Sequence, residues 1–139
     1  MVGFMGLKKK ELKERAETLL IQAGLKERQD TLVSQLPRGF KQRLALICAI
    51  LHQPKIVFLD EPTSGVDPYA RRCFWEIIYQ LAKEGITVFV TTHYMDEAEF
   101  CDRLALIHQG KIIAQGSPQE LKEGLTSLED VFVHLIKAR

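Results

Sequence analysis

Two short apolar runs separated by a single amphipathic segment constrain the fold of this 139-residue chain more than any other feature. Residues 56–59 and 86–91 are rich in the β-branched and aromatic residues that favour strands. Between them, Asp67-Pro68 predicts a helix start, and Gly85 predicts the end of that helix. Two strands joined by one crossover helix pair in parallel, so the sequence predicts an α/β domain. The continuous apolar character of both runs predicts strands that are covered on both faces.

The other segments follow from hydrophobic periodicity and turn signals. Ser117 and Ser127 are predicted to cap the last two helices, the second of which runs to about Lys137. The remaining predicted elements are helices over residues 7–24, 40–51 and 96–100, a loop over 26–35, and a hairpin over 104–107 and 111–114.

Composition excludes several classes of protein. The longest apolar stretch is the eight residues 44–51, whereas a membrane-spanning helix needs about 20. The net charge of +1 provides no basic track for nucleic acid, so no nucleic-acid partner is expected. These observations predict a cytoplasmic protein that does not itself cross a membrane.

Three chemically capable side chains follow the two predicted strands. Asp60 and Glu61 come directly after the first run, and His93 follows the second. Parallel strands open at the same sheet edge, where α/β proteins bind ligands, so we expect these residues to converge. One carboxylate could hold a metal ion through water while the other orients or deprotonates a water molecule. An isolated Asp-Glu pair would more simply be a helix cap and a solvated turn, but the nearby histidine favours function.

Several motifs in order carry a family resemblance. Leu59-Asp60-Glu61-Pro62 resembles the Walker B motif of ATP-binding cassette (ABC) ATPases, Ser64-Gly65-Val66-Asp67 resembles their D-loop, and His93 their switch histidine. Residues 36–44 resemble the signature motif and its helix. The chain is most similar to ATP-binding subunits of ABC-2-type exporters, including multidrug exporters. The resemblance implies a P-loop NTPase-like cassette with a helical signature subdomain (about 1–53), a core from Walker B to the switch histidine (about 54–116), and C-terminal helices (about 117–139).

The resemblance also implies roles for these residues. Asp60 would hold Mg²⁺ through water, Glu61 would act as the general base, and His93 would contact the terminal phosphate of ATP. The implied partners are a transmembrane permease at the inner face of the cytoplasmic membrane and a second ATP-binding subunit, identical or different. That second subunit would face the D-loop residues Ser64, Gly65 and Asp67, and its bound ATP would contact the signature residues Leu36, Pro37, Arg38, Gly39 and Phe40.

The sequence departs from the family in two places. Pro37 stands where the signature usually has serine and Arg38 where it has glycine, so either a weakened phosphate contact or an arginine-compensated one is expected. No two glycines have the spacing of the phosphate-binding loop G-x-x-x-x-G-K-[ST]. We therefore expect a truncated cassette that begins at the helical subdomain and is inactive by itself.

Two other functions compete with this interpretation. The chain could be a non-catalytic module that docks on another cassette or a permease and regulates it. A related ATPase of DNA repair or chromosome organisation is disfavoured, because the chain has neither coiled-coil segments nor a basic surface track.

Overall fold

The computed structural model describes residues 8–138, which form one compact unit up to Thr91 and a second from Thr92 onwards. The first unit contains α1 (Lys9–Gln22), α2 (Arg38–Ile50), β1 (Ile56–Asp60), α3 (Pro68–Lys83) and β2 (Thr87–Thr91). The second contains α4 (Met95–Ala98), β3 (Leu104–His108), β4 (Lys111–Gly116), α5 (Pro118–Lys122) and α6 (Leu128–Lys137). The predicted α/β class is confirmed.

The ends of the predicted elements differ from the observed ones by up to two residues, and one predicted segment needs correction. The segment predicted as a loop over residues 26–35 contains two single-turn 3₁₀ helices, Lys26–Arg28 and Val33–Gln35. Such turns are common connectors between α-helices, and their short length gives no periodic signal in the sequence. The predicted start of the first helix at residue 7 lies outside the described residues. The division into three functional segments stays a prediction.

The strand–helix–strand unit forms as predicted. β1 and β2 pair in parallel, with Ile56 opposite Thr87 and Asp60 opposite Thr91. Asp67 caps α3, because its Oδ1 accepts the backbone N–H of Ala70 at 2.9 Å. Gly85 follows the helix with φ of +88°, a conformation that glycine adopts without steric cost.

The core of the first unit lies between the helices and one face of this sheet. α3 contacts both α2 and β2, and it buries Phe74, Trp75, Ile78 and Leu81. α1 is joined to the end of α2 by the Arg15 guanidinium, which donates to the carbonyl oxygens of Ile50 and Leu51 at 2.9 and 3.0 Å. A cation at this position satisfies carbonyl groups that the helix itself leaves without partners.

The prediction that both strands are covered on both faces is wrong. Val57 is buried, but its neighbour Phe58 is 70% exposed and Phe89 is 57% exposed. The two phenylalanines are register partners, and their ring centroids lie 5.7 Å apart. Side chains alternate between sheet faces, so helices that cover the Val57 face leave these rings outside. The apolar run therefore indicated a strand correctly but did not indicate how many layers cover it.

The second unit contains the predicted hairpin and the two capped helices. β3 and β4 pair antiparallel through Gln109 and Gly110, whose φ values of +49° and +74° are those of a tight hairpin turn. Ser117 forms a capping box with Glu120, and Ser127 accepts the N–H of Asp130 at 3.2 Å. Within the described residues, no helix has both the length and the apolar character that crossing a bilayer requires.

Glu99 joins the helices of the second unit. Its Oε2 accepts from Lys122 Nζ at 2.6 Å, and its Oε1 accepts the N–H of Leu128 at the start of α6 at 3.2 Å. The hydrogen bond from Lys122 holds the pKa of the Glu99 carboxyl below its usual value, against the opposing effect of its burial. Leu128 is completely buried, so α6 is fixed at its first residue by packing as well as by this bond.

Candidate functional site

Two adjacent carboxylates lie at the carboxyl end of β1. Asp60 is the last residue of the strand, and Glu61 follows it with φ of +43°, in the left-handed region. The Glu61 N–H donates to the carbonyl oxygen of Thr91 at 3.0 Å, which extends the pairing with β2 one residue beyond the strand. Both residues are exposed at this edge of the sheet. Both residues thus lie, solvent-exposed, at the edge where parallel sheets bind ligands.

Thr91 joins these two acidic residues and is not among the site residues predicted from the sequence. Its Oγ1 donates to Asp60 Oδ1 at 2.5 Å and accepts the N–H of Glu61 at 3.0 Å. In the sequence, Thr91 is visible only as a hydroxyl-bearing residue at the last position of the second strand. Its contact with Asp60 follows from the strand register, which sets the two residues opposite each other.

The segment after Glu61 turns back towards α3. The Ser64 N–H donates to the carbonyl of Glu61 at 3.2 Å, and the Val66 N–H donates to that of Thr63 at 3.1 Å. Gly65 has φ of +71°, which favours glycine, and Asp67 then caps α3. The structure therefore brings Ser64, Gly65 and Asp67 together in one tight turn beside the acidic pair.

The signature segment begins α2. Leu36 is buried, and Pro37 is the N-cap residue, which makes no side-chain capping bond. A Cβ atom on Gly65 would lie 3.1 Å from Arg38 Cζ, so the Arg38 guanidinium rests against the turn that follows Glu61. The signature and the D-loop segments are thus in direct contact within the first unit.

Two guanidinium groups pack over the Phe40 ring. Arg28 and Arg43 approach its ring centroid at 4.4 and 4.2 Å. Arg43 also donates to the carbonyl of Ala23 at 2.8 Å, which ties the start of α2 to the end of α1. Phe40 therefore has a cation–π role that stabilises the segment. The three-residue spacing of Phe40 and Arg43 on one helix could have indicated their contact. The contact with Arg28 could not be predicted in this way, because Arg28 lies in a separate turn.

His93 belongs to the second unit and is exposed. Its ring packs on Tyr94, with centroids 4.3 Å apart. The backbone on either side of it is held by Thr92, whose Oγ1 donates to the fully buried Glu97 at 2.8 Å and accepts the N–H of Tyr94 at 3.0 Å. The predicted convergence of His93 with Asp60 and Glu61 stays a prediction.

The acidic edge fits a magnesium ion that is held jointly with phosphate. In the part of the chain that the structure describes, no three His, Cys, Asp or Glu side chains form a cluster able to hold a metal by themselves. Mg²⁺ commonly takes one or two carboxylates together with waters and substrate phosphates, and the exposed Asp60 carboxylate could supply such a ligand.

Gly39 has a packing function that can be tested directly. A Cβ atom there would lie 2.8 Å from Ala70 Cβ, closer than two methyl carbons can approach. We expect Gly39→Ala to lower the free energy of unfolding by about 1–3 kcal/mol, because α2 must move away from α3. Urea denaturation would measure the loss.

Ala70→Gly provides the control for this clash. In the double variant the added methyl group regains room, so the two substitutions should destabilise less together than the sum of their separate effects. Strict additivity would contradict a direct contact between Gly39 and Ala70.

One protein family and several known proteins match this chain. The family described as “AAA domain, putative AbiEii toxin, Type IV TA system” matches residues 2–95. “Probable multidrug ABC transporter ATP-binding protein YbhF” of Escherichia coli (strain K12) is 46% identical over 141 residues, which cover 96% of this chain and 24% of that protein. “Nod factor export ATP-binding protein I” of Sinorhizobium fredii is 43% identical over 119 residues, which cover 85% of this chain and 35% of that protein.

The fold comparison agrees with these sequence matches. The structure of cbiO1 from Clostridium perfringens, described as part of the ABC transporter complex cbiONQ, superposes with a TM-score of 0.77 at 29% identity. The match covers 96% of this chain and 54% of that one. The chain therefore spans about half of the solved cbiO1 chain and a quarter to a third of the two curated relatives.

Proposed function

This chain belongs to the AAA-domain family whose model matches residues 2–95, and it is similar to ABC transporter ATP-binding proteins. On that premise we propose that it supplies the water-activating part of a transport ATPase. One observation carries the proposal: Asp60 and Glu61 leave the carboxyl end of a parallel strand and are tied there to the neighbouring strand by Thr91. This edge of an α/β sheet is where such folds bind and process ligands.

In this proposal each polar residue has one task. The exposed Glu61 carboxylate takes a proton from the attacking water, Asp60 holds Mg²⁺ through water, and His93 contacts the terminal phosphate. The metal ion, when bound, neutralises negative charge on the phosphate oxygens. The left-handed turn at Glu61 gives its side chain a direction that strand alternation would not give, which supports different tasks for the two neighbouring carboxylates.

The signature and D-loop residues act between subunits in the same proposal. The start of α2 carries backbone N–H groups without intrahelical partners, which suit a phosphate of ATP bound to a second ATP-binding subunit. Leu36 to Phe40 contact that ATP, while Ser64, Gly65 and Asp67 face the second subunit. Arg38, held against Gly65, offers its charge where Pro37 lacks a hydroxyl group and an N–H.

In this proposal the ATPase activity is coupled to transport across a membrane. The two curated relatives are named for multidrug transport and Nod factor export, and cbiO1 is described as part of a multi-component transporter. By analogy, ATP hydrolysis drives export through a separate transmembrane permease, beside which this chain lies at the inner face of the membrane. In this proposal the permease selects the exported substrate.

A chimera tests the function. In the Sinorhizobium fredii Nod factor export protein, this chain would replace the segment that it matches. We expect the purified chimera to release phosphate from ATP in the presence of Mg²⁺, and the 139-residue chain alone to release it only at the background rate, because the chain contains no G-x-x-x-x-G-K-[ST] motif. A chimera that is folded by circular dichroism but inactive, while the parent protein is active, would contradict the proposal.

The lack of that motif also favours a second candidate, a non-catalytic module that docks on another cassette. It is distinguished by the same proteins: the isolated chain would then bind the intact Nod factor export protein in a pull-down and change its ATPase rate. Binding without any Glu61-dependent activity in the chimera would support this candidate instead.

A further inference from the structure

We propose that Thr91 is a positioning residue whose hydroxyl group sets the geometry of both carboxylate-bearing residues at once. This inference rests on the proposed function, because it assigns a task to the residue behind Asp60 and Glu61. Its physical basis is the pair of bonds that one oxygen atom makes: donation to Asp60 Oδ1 at 2.5 Å and acceptance from the Glu61 N–H at 3.0 Å.

The hydrogen bond from Thr91 orients the Asp60 carboxylate and leaves other lone pairs of the carboxylate available to a ligand. An ionised carboxylate offers about four lone-pair positions, and the hydroxyl donor of Thr91 occupies one position on Oδ1. The remaining positions stay available to water or a hydrated cation. Because this bond to a strand residue restricts rotation of the carboxylate, it favours one orientation of Asp60 towards a ligand at the sheet edge.

The bond to Glu61 acts on the backbone. Glu61 is in the left-handed region, where a residue with a side chain remains only if its surroundings hold it. Its N–H is shared between the carbonyl oxygen and the hydroxyl oxygen of Thr91, both at 3.0 Å. Thr91 therefore holds the turn from which the Glu61 side chain leaves the sheet.

Donation and acceptance by the same hydroxyl also couple the two acidic residues. A hydroxyl that accepts a bond becomes a better donor, so the Glu61 N–H strengthens the bond that orients Asp60. Loss of the hydroxyl should therefore disturb both residues together, although β2 keeps its register. Valine has nearly the shape of threonine and favours strands, so Thr91→Val replaces the hydroxyl group with a methyl group and should preserve the strand.

The experiment uses the isotope-labelled 139-residue chain, with Mn²⁺ as the probe for a divalent-cation site. We expect Thr91→Val to move the amide resonance of Glu61 and the side-chain carboxyl resonance of Asp60, and Thr91→Ser to restore both. In the wild-type chain, Mn²⁺ should broaden the amide signals of residues 60 and 61. Thr91→Val should need roughly two- to tenfold more Mn²⁺ for the same broadening, the effect of one hydrogen bond.

Two further variants keep the test decisive. Thr87→Val, at the first position of the same strand, should leave all of these signals in place. If Thr91→Val does not fold, Thr91→Ala serves as the hydroxyl-free variant. The proposal is overturned if the Glu61 amide and Asp60 carboxyl resonances have the same positions in the hydroxyl-free variant as in Thr91→Ser. Absence of Mn²⁺ broadening in the wild-type chain would count instead against the metal site of the proposed function, while the two resonances still decide the role of Thr91.

Discussion

Replacing Glu61 with glutamine in the chimera is expected to slow ATP hydrolysis by roughly 10²- to 10⁴-fold, the usual contribution of a general base. The amide has nearly the same size as the carboxylate but does not take a proton from water. Glutamine also keeps the backbone N–H that donates to Thr91, so the left-handed turn at this position should remain. Phosphate release measured at saturating ATP would give the change in kcat.

Glu14→Gln is the matched control for this variant. Glu14 is an exposed glutamate on α1, and the same charge is removed there without touching the sheet edge. The control should retain the rate of the unmodified chimera. Equal rates for the two variants would show that the carboxylate of Glu61 is not the base.

Phe74→Ala is expected to lower the free energy of unfolding of the first unit by about 3–5 kcal/mol. Phe74 is 2% exposed at the centre of α3, so its removal costs apolar burial and leaves a cavity between that helix and its neighbours. Because small domains are stable by only about 5–15 kcal/mol, the loss should move the urea midpoint substantially. The single tryptophan, Trp75, is buried in the same unit and reports its unfolding by fluorescence.

Tyr69→Ala provides the comparison on the same helix. Tyr69 is 77% exposed, so deleting its ring removes little buried surface, and a change within about 0.5 kcal/mol is expected. The two variants remove aromatic rings of similar size and differ mainly in burial. Similar urea midpoints for both would refute the packing that the structure gives to α3.

The predictions from sequence are confirmed where the two interacting residues lie only a few positions apart in the chain. Asp67 caps α3 by accepting the N–H three residues ahead, and Ser117 forms hydrogen bonds with Glu120. Gln109 and Gly110 form the turn between the two adjacent strands of the hairpin. These interactions depend on short-range backbone geometry, which residue type restricts directly. The acidic pair belongs to the same class, because a strand that ends at Asp60 places the Asp60 side chain and the one after it at the edge of the sheet.

The contacts that refine the candidate site join residues far apart in the chain. Thr91 meets Asp60 across 31 positions, Arg28 stacks on Phe40 from a turn that was predicted as a loop, and Gly39 allows Ala70 to approach. No periodicity or motif reports such pairs, because each depends on a strand register or a helix–helix distance. The same reason explains Phe58, whose exposure depends on which layers cover the sheet.

The sequence by itself determined the order of the elements, the parallel pairing of β1 with β2, and the position of the two carboxylates at the end of a strand. Residue propensities, caps and the length of the crossover set these features locally. Only the tertiary structure decided that one threonine hydroxyl joins both acidic residues, that Arg38 rests on Gly65, and that one face of the sheet is open. These outcomes depend on strand register and on packing distances between elements. The residues of any single segment do not determine such distances.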